Sequence, residues 1–319
     1  MKQLSRSLNN IRVKDFIEIR QGLIFAVVAA GEAGKILCFL RYAYSRGRWR
    51  KVATEDANRL LAENFPRYLF YSKTLDANLH AVSPAEVVRH YSSTQGLQAL
   101  LNSAGNDPVL ADYRQLYRML ISENQPLPTA LGVTGSLLLG LQNPDSDIDL
   151  VCYDRGVFNR LRERLESLLL AGKCQSLRTE DWLASYKRRD CHLSLEDYIW
   201  HEQRKNNKAL INNRKFDLSL VTLPPFSENG IYRKLRPISL TAQVLDDYHG
   251  FDYPAEFKLK HPEIDSVVSF TATYTGQARA GETIEIAGQL EIDQRGRQRV
   301  VVGSSREAIG EYIKVIREF

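Results

Sequence analysis

The spacing of apolar and polar residues predicts a chain that mixes short strands with amphipathic helices. Compact apolar or alternating runs over 23–28 and 36–44 indicate strands near the N-terminus. A helix is expected from Thr54, and apolar residues three and four positions apart over 107–121 predict a helix with one apolar face. The segment 83–86 has the serine, proline and glutamate of a further helix start.

The C-terminal third has the pattern of a small β domain. Strands are predicted over 238–245, 267–274, 283–292 and 299–302, and turn residues separate them. Short strands in this order favour a closed barrel of the OB or a related type. The prolines and polar residues of 224–230 predict a linker before this domain.

These patterns predict an α+β protein in three parts. A strand-rich N-terminal region covers 1–83, and a β-barrel-like domain covers 231–319. Between them, 84–223 holds a helical lead-in and a module of strands and helices, including a helix over 157–170. The chemistry-bearing residues lie in this middle part.

Two aspartates follow a glycine–serine pair at a short distance in the middle part. Asp147 and Asp149 come eleven and thirteen residues after Ser136, and alternation along a strand puts both carboxylates on one face. Carboxylates this close repel each other unless a divalent cation lies between them, and their oxygen atoms favour Mg²⁺. Gly135 lets the backbone approach a ligand, and Ser136 would open a short helix whose N–H groups favour phosphate.

This pattern resembles that of the polymerase-β-like nucleotidyltransferases. Their signature is an apolar residue, Gly and then Gly or Ser, followed after a spacer by Asp, an apolar residue and a second acid. The resemblance implies that Gly135 and Ser136 hold the β- and γ-phosphates of a nucleoside triphosphate. It implies that Asp147 and Asp149 carry two Mg²⁺ ions, which Mn²⁺ could replace.

The resemblance also implies a third carboxylate on a later strand, and Asp217 is the best candidate. It lies in the alternating run 215–221, which follows a turn-favouring pair of asparagines. Lys215 is two residues away on the same strand and faces the same way. We therefore interpret Lys215, and with it Arg204 and Lys205, as contacts to the triphosphate or the acceptor.

Two further basic clusters contain or adjoin aromatic residues, a combination that suits phosphate contact with base stacking. They consist of Arg41, Arg46, Arg48, Arg50 and Lys51, and of Lys187, Arg188 and Arg189. A single cluster of this kind is more often a solvated face. Together with the predicted barrel, the clusters favour RNA as the acceptor.

A narrower resemblance is to uncharacterised nucleotidyltransferase-like proteins, mainly archaeal, with a strand-rich region ahead of the motif. The stretch 22–25, Gly-Leu-Ile-Phe, and the run 135–153 carry it. This group brings no established substrate with it.

Composition and motif spacing argue against several other classes of protein. The formal charge of +5 favours a polyanionic partner only mildly. The four cysteines lack the spacing of a zinc site or a disulfide framework, and the six histidines form no catalytic pattern. A P-loop is incomplete, because Ile36 stands where the metal-binding hydroxyl belongs. No signal peptide or membrane span is expected, so the cytoplasm is the predicted compartment.

The sequence therefore predicts an Mg²⁺-dependent enzyme that transfers a nucleoside monophosphate from a nucleoside triphosphate to an acceptor hydroxyl, releasing pyrophosphate. RNA, such as a tRNA end, is the expected acceptor. One alternative is an inactive nucleic-acid-binding or interaction protein on the same scaffold. Another keeps the chemistry but modifies a protein or a small molecule.

Overall fold

The protein combines helices with several sheets, which confirms the mixed α+β class. The structure, a computed structural model, describes the residues 11–29, 31–73, 77–105, 107–121, 129–222, 232–304 and 308–317. Its contacts group the chain into two compact units, Met1–Cys152 and Tyr153–Phe319. The three-part division stays a prediction, and the expected linker over 224–230 lies outside the described residues.

The first unit is built on a seven-stranded antiparallel sheet of order β5-β6-β3-β2-β1-β7, with β4 paired to β3. These strands are β1 Phe16–Ile19, β2 Leu23–Val27, β3 Ile36–Ser45, β4 Arg48–Lys51, β5 Leu69–Ser72, β6 Ala77–Val82 and β7 Val87–Tyr91. One face packs on the helix that was expected from Thr54, here α1 Thr54–Asn64, through Ala57 and Leu61. The strands expected over 23–28 and 36–44 are confirmed.

In the described part of the first unit, three more helices and a hairpin follow the sheet. The helices are α2 Ser93–Asn102, α3 Pro108–Leu120 and α4 Gly135–Leu139, and the hairpin consists of β8 Leu131–Thr134 and β9 Ile148–Cys152. The helix predicted over 107–121 is confirmed. Asp107 is its N-cap, and its Oδ1 accepts a hydrogen bond from the backbone N–H of Val109 at 2.7 Å.

The expected helix start at 83–86 is wrong. Pro84–Glu86 form one turn of 3₁₀ helix, and the chain then continues as β7. The side chain of Ser83 makes no capping hydrogen bond. Val87 and Val88 are β-branched, and the β7 backbone pairs with β1, so sheet pairing takes precedence over the local helix signal.

The second unit begins with three helices, α5 Arg155–Leu170, α6 Thr179–Arg189 and α7 Leu195–Gln203. The first of them confirms the helix predicted over 157–170. A hairpin of β10 Lys208–Ile211 and β11 Arg214–Leu220 follows. Asn212 and Asn213 form its two-residue turn with positive φ angles of 49° and 65°, as their side chains favour.

The last part of the second unit is a six-stranded sheet. Its strands are β12 Tyr232–Asp246, β13 Ala255–Lys260, β14 Ile264–Ser269, β15 Thr283–Asp293, β16 Gln298–Val302 and β17 Tyr312–Val315. Strand β12 pairs with both β13 and β15, β14 and β16 are parallel, and β17 adds to β15. The strand predicted over 267–274 ends at Ser269, and β13 and β17 had no counterpart in the prediction.

No helix in the described part of the chain is long and apolar enough to cross a membrane.

Candidate functional site

The hairpin β8–β9 positions the two aspartates of the motif. Thr134, the last residue of β8, pairs in register with Asp149 on β9. Ile148 and Leu150 are buried, so Asp149 faces the opposite side, where it is half-buried. Asp147 immediately precedes β9 and is exposed. The alternation puts the two carboxylates on one side of the strand.

Gly135 is the residue that comes closest to Asp149. Its φ angle is +71°, and a Cβ built on it would lie 2.4 Å from Oδ2 of Asp149. Real Cβ atoms do not approach an oxygen so closely, so any larger residue here would have to displace the Asp149 carboxylate. The backbone at the start of α4 therefore lies directly against the carboxylate.

Two hydrogen-bond sets fix the segments on either side of this contact. The hydroxyl of Thr134 donates to the carbonyl of Lys14 at 2.7 Å, which anchors the end of β8. In the turn before β9, the N–H of Asn143 donates to Oγ of Ser146 at 2.9 Å. The side-chain oxygen of Asn143 accepts from the N–H of Asp145, also at 2.9 Å. This closed turn leads directly into Asp147.

Asp217 lies in the second unit, on β11, where buried Phe216 and Leu218 alternate with it. Lys208 on β10 is its direct partner in the strand register. Burial alone would lower the pKa of Lys208, but the charges of Glu202 and Asp217 outweigh burial and raise it. The ammonium group of Lys208 thus stays charged beside Asp217.

Lys208 was not predicted to be the partner of Asp217, although the sequence holds a signal for this pairing. A two-residue turn at 212–213 pairs residue 211 with 214, and counting back along both strands pairs 208 with 217. The hairpin signal alone therefore predicts this cation opposite the aspartate.

The three cations that we interpreted as ligand contacts all have partners within the second unit. Lys205 is buried, and its Nζ donates to Glu202 and to the carbonyl of Thr273, the latter at 2.8 Å. Arg204 forms an ion pair with Glu282. Lys215 lies 3.5 Å from Oδ1 of Asp181 and remains partly exposed. Lys205 would have to leave a buried ion pair to reach a triphosphate, whereas Lys215 would only have to leave a partly exposed one.

Glu202 is the centre of this buried cluster. Burial acts to raise its pKa, but Lys205 and Lys208 lower it to about 2. Burial lowers the pKa of Lys205 to about 8 despite the attraction of Glu202. The cluster is therefore an ionised, internal arrangement that supports β10, and only Lys208 also faces Asp217.

The two aspartates of the first unit, Asp147 and Asp149, are ligands that suit a hard divalent cation. Carboxylate oxygens are the ligands that Mg²⁺ prefers, and Asp147 and Asp149 present them at the start of β9. Among the residues that the structure describes, no group of three or more His, Cys, Asp or Glu side chains forms a metal cluster.

A comparison with protein families supports the assignment of this motif. Residues 117–219 match the family model of the nucleotidyltransferase domain. The chain belongs to the polymerase-β-like nucleotidyltransferases. The matched segment contains Gly135, Ser136, Asp147, Asp149 and Asp217.

A relative is similar along nearly the whole chain. The chain is 33% identical to the uncharacterized protein MJ1086 of Methanocaldococcus jannaschii, over 96% of this chain and 99% of the relative. This likeness confirms the narrower resemblance to archaeal nucleotidyltransferase-like proteins and extends it to both units. No solved structure matches the chain. The domain is that of enzymes that transfer a nucleotidyl group from a nucleoside triphosphate.

Proposed function

We propose that this nucleotidyltransferase transfers a nucleoside monophosphate to an acceptor hydroxyl and releases pyrophosphate. The close approach of the Gly135 backbone to Asp149 is the observation that carries the proposal. It leaves a side-chain-free surface of N–H groups beside an acidic strand face, which suits a metal-bound triphosphate. Gly135 and Ser136 bind the phosphates and hold them in line for attack.

Asp147 and Asp149 would hold the Mg²⁺ ions, and Asp217 would supply the third carboxylate. Bound there, the ions would lower the pKa of the attacking hydroxyl and neutralise the leaving pyrophosphate. Asp217 also accepts the proton of the attacking hydroxyl. Lys208, the partner of Asp217 in the strand register, places a positive charge beside that carboxylate.

We further propose that the acceptor is RNA. Two observations in the second unit support this. The basic residues Lys187, Arg188 and Arg189 end helix α6. The pairing β12-β13-β14-β16-β15 returns to β12, with one parallel pair between β14 and β16, which is the strand order expected of an OB-like barrel. Barrels of this type often bind single strands.

A nucleotide panel tests the enzyme proposal. Each of the four nucleoside triphosphates is added with Mg²⁺, and thermal unfolding is recorded; a bound ligand at 100 times its Kd adds about 2.7 kcal/mol of stability. The nucleotide that binds is then used with an α-label to follow transfer to bulk tRNA. We expect Asp149→Asn to reduce transfer by about 10³-fold or more, because one ligand serves both roles of the metal centre.

Asp145→Asn is the matched control, because Asp145 lies in the same turn, is exposed and is only two residues from Asp147. It should keep both binding and transfer. If no triphosphate binds, the catalytic proposal fails and an inactive scaffold that binds nucleic acid takes its place. If triphosphate is consumed but tRNA is not labelled, a protein or small-molecule acceptor replaces RNA.

A further inference from the structure

Helix α4, which follows the Gly135-Ser136 turn, packs on the sheet of the first unit. Leu138 and Leu139, with Leu141 just beyond the helix, contact the face opposite to α1. The sheet residues that meet them are Phe16, Ile24, Tyr42, Trp49 and Tyr91. The Gly135-Ser136 turn, which we propose binds the phosphates, is therefore held next to an aromatic face of the sheet.

The same face continues as an open groove with a volume of about 470 Å³. We call it the Tyr44 groove; it is lined mainly by Glu18, Arg20, Gly22, Tyr44, Trp49 and Val88. Its volume lies within the range of about 300–1,000 Å³ that is typical of small-ligand sites. A groove of this size accommodates a planar base.

Two aromatic rings form the wall of the Tyr44 groove. Tyr44 on β3 pairs with Trp49 on β4, and their ring centroids are 5.3 Å apart at an interplanar angle of 69°. Tyr44 is 54% exposed, so its ring is accessible to a ligand. Gly22 has a φ of +68°, and a Cβ there would lie 3.1 Å from Cβ of Tyr44, so glycine keeps this side of the groove open.

Cations lie beside the groove. Arg20 lines it, Lys51 is on the same face of β4 as Trp49, and Arg46 is exposed in the turn of the β3–β4 hairpin. Arg48 and Arg50 alternate to the opposite face of β4. Among the residues that the structure describes, none of these five forms an ion pair. The acid in the groove, Glu18, accepts a hydrogen bond from the hydroxyl of Tyr91 at 2.7 Å. Arg20, Arg46 and Lys51 thus place three positive charges at and beside the groove, which suits the phosphates of a polyanion.

The groove lies beside the helix that follows the Gly135-Ser136 turn. Tyr42 on β3 belongs to the same apolar cluster as Leu138 and Leu139 of α4. Tyr44 is two residues further along β3, a distance of about 7 Å, and faces the same side of the sheet. A base at Tyr44 would therefore lie next to the element that we propose binds the phosphates.

We propose that the Tyr44 groove binds a base of a single-stranded RNA acceptor, and that the β3–β4 hairpin binds the phosphates of that strand. The inference rests on the proposed transfer to RNA and adds the acceptor site. A single strand is required, because only an unstacked base can stack on the aromatic wall.

The test measures the binding of a labelled 12-nucleotide single-stranded RNA by fluorescence anisotropy at low salt. Tyr44→Ala should weaken binding by about 5- to 150-fold, which is the loss of one stacked base. Tyr44→Phe should retain it, because the ring and not the hydroxyl stacks. Tyr71→Ala is the control, since Tyr71 is a similarly exposed tyrosine, 52%, on β5 of the same unit. Thermal shift with Mg²⁺ and triphosphate should be the same in all four proteins.

A second readout uses Trp49 as a probe. The chain has three tryptophans, and Trp182 and Trp200 lie in the other unit. RNA should quench part of the emission of the wild type, and Trp49→Phe should lose that quenching while keeping most of the affinity. This pattern would place the base beside Trp49.

Three results would overturn the inference. Unchanged RNA affinity in Tyr44→Ala would place the base elsewhere. Loss of triphosphate binding in Tyr44→Ala would assign the groove to the donor nucleotide. An absence of RNA binding in a wild type that binds triphosphate would remove the RNA acceptor. Failure of both ligands to bind would instead reject the proposed function itself.

Discussion

A Cβ at position 135 would lie 2.4 Å from Oδ2 of Asp149. This contact joins the two halves of the motif, which are fourteen residues apart in the sequence. Strand pairing of Thr134 with Asp149 brings them together, and the positive φ of Gly135 turns the chain into α4 at that point. The glycine is needed for its backbone angle and also for the space beside the carboxylate.

We therefore predict that Gly135→Ala prevents the binding of Mg²⁺ with triphosphate. The added methyl group must displace the Asp149 carboxylate. Gly140→Ala is the matched control, because Gly140 also has a positive φ, +66°, but nothing lies within 4 Å of its Cβ. Both variants should lose about 1–3 kcal/mol of stability from backbone strain. Only Gly135→Ala should lose the nucleotide-dependent thermal shift; equal shifts in both variants would show that the contact with Asp149 is irrelevant to binding.

The strand β9 and the turn between β10 and β11 could be predicted from the sequence, because interactions between neighbouring residues determine them. Alternation put Ile148 and Leu150 in the core, and Asn212 and Asn213 marked a two-residue turn. The helix start expected at 83–86 failed, because pairing of β7 with β1 depends on residues about 70 positions away in the chain.

The partners of Lys205 and Lys215 could not be predicted either, because they also depend on packing between distant parts of the chain. Lys205 and Lys215 are equally basic in the sequence, and both precede Asp217. Only packing shows that Lys205 is buried against Glu202 while Lys215 remains partly exposed. Charge clustering gives the number of cations in a segment and not the partner of each one.

We predict that Glu202→Gln is strongly destabilising. Glu202 is the carboxylate between Lys205 and Lys208, and its removal would leave buried positive charge without compensation. The expected loss is about 3–5 kcal/mol of unfolding free energy, measured by urea denaturation. The loss should be smaller at pH 9 than at pH 7, because the pKa of Lys205 is about 8 even with the attraction of Glu202, and without that carboxylate the amine is neutral at pH 9.

Glu256→Gln is the control for that variant. Glu256 pairs with Lys258 at 2.7 Å, but the lysine side chain is about half-exposed. Such a pair contributes about 0–1 kcal/mol, so this variant should unfold almost like the wild type. A similar loss in both variants would contradict a special role for the buried cluster.

We predict that stability falls as the pH is lowered from 7 to 5, because two buried histidines stay neutral. His80 accepts the N–H of Leu40 at Nδ1, and His201 accepts the N–H of Val315 at Nε2. Burial lowers the pKa of each from 6.5 to about 4. Between these values the unfolded chain binds more protons than the folded one, so stability present above pH 6.5 is lost on acidification.

The expected loss is about 2 kcal/mol per histidine between pH 7 and pH 5. The histidines lie in different units, so each unit should show its own dependence. Urea denaturation of His201→Gln should have a shallower pH dependence in this range than the wild type. A dependence that is unchanged by this substitution would show that other groups titrate instead.

We predict that Lys187, Arg188 and Arg189 contact RNA phosphates. They lie in the last turn of α6, where cations also interact favourably with the helix dipole, and this second role alone would need no ligand. Binding of bulk tRNA should fall steeply with salt, because each neutralised phosphate releases counterions. Changing all three residues to Ala should flatten the slope of log K against log salt by about 2–3 units and leave triphosphate binding unaltered.

A control triple variant separates this effect from a general loss of charge. Arg160, Arg164 and Lys173 are exposed in the same unit and carry the same total charge. Their replacement by Ala removes the same three positive charges from a different surface, so the long-range attraction of RNA changes similarly in both variants. Direct contact predicts a flatter slope only for the α6 variant. Equal slopes in the two variants would assign the α6 cations to the helix dipole alone, and the RNA contacts would then have to lie elsewhere, with the β3–β4 hairpin as the next surface to test.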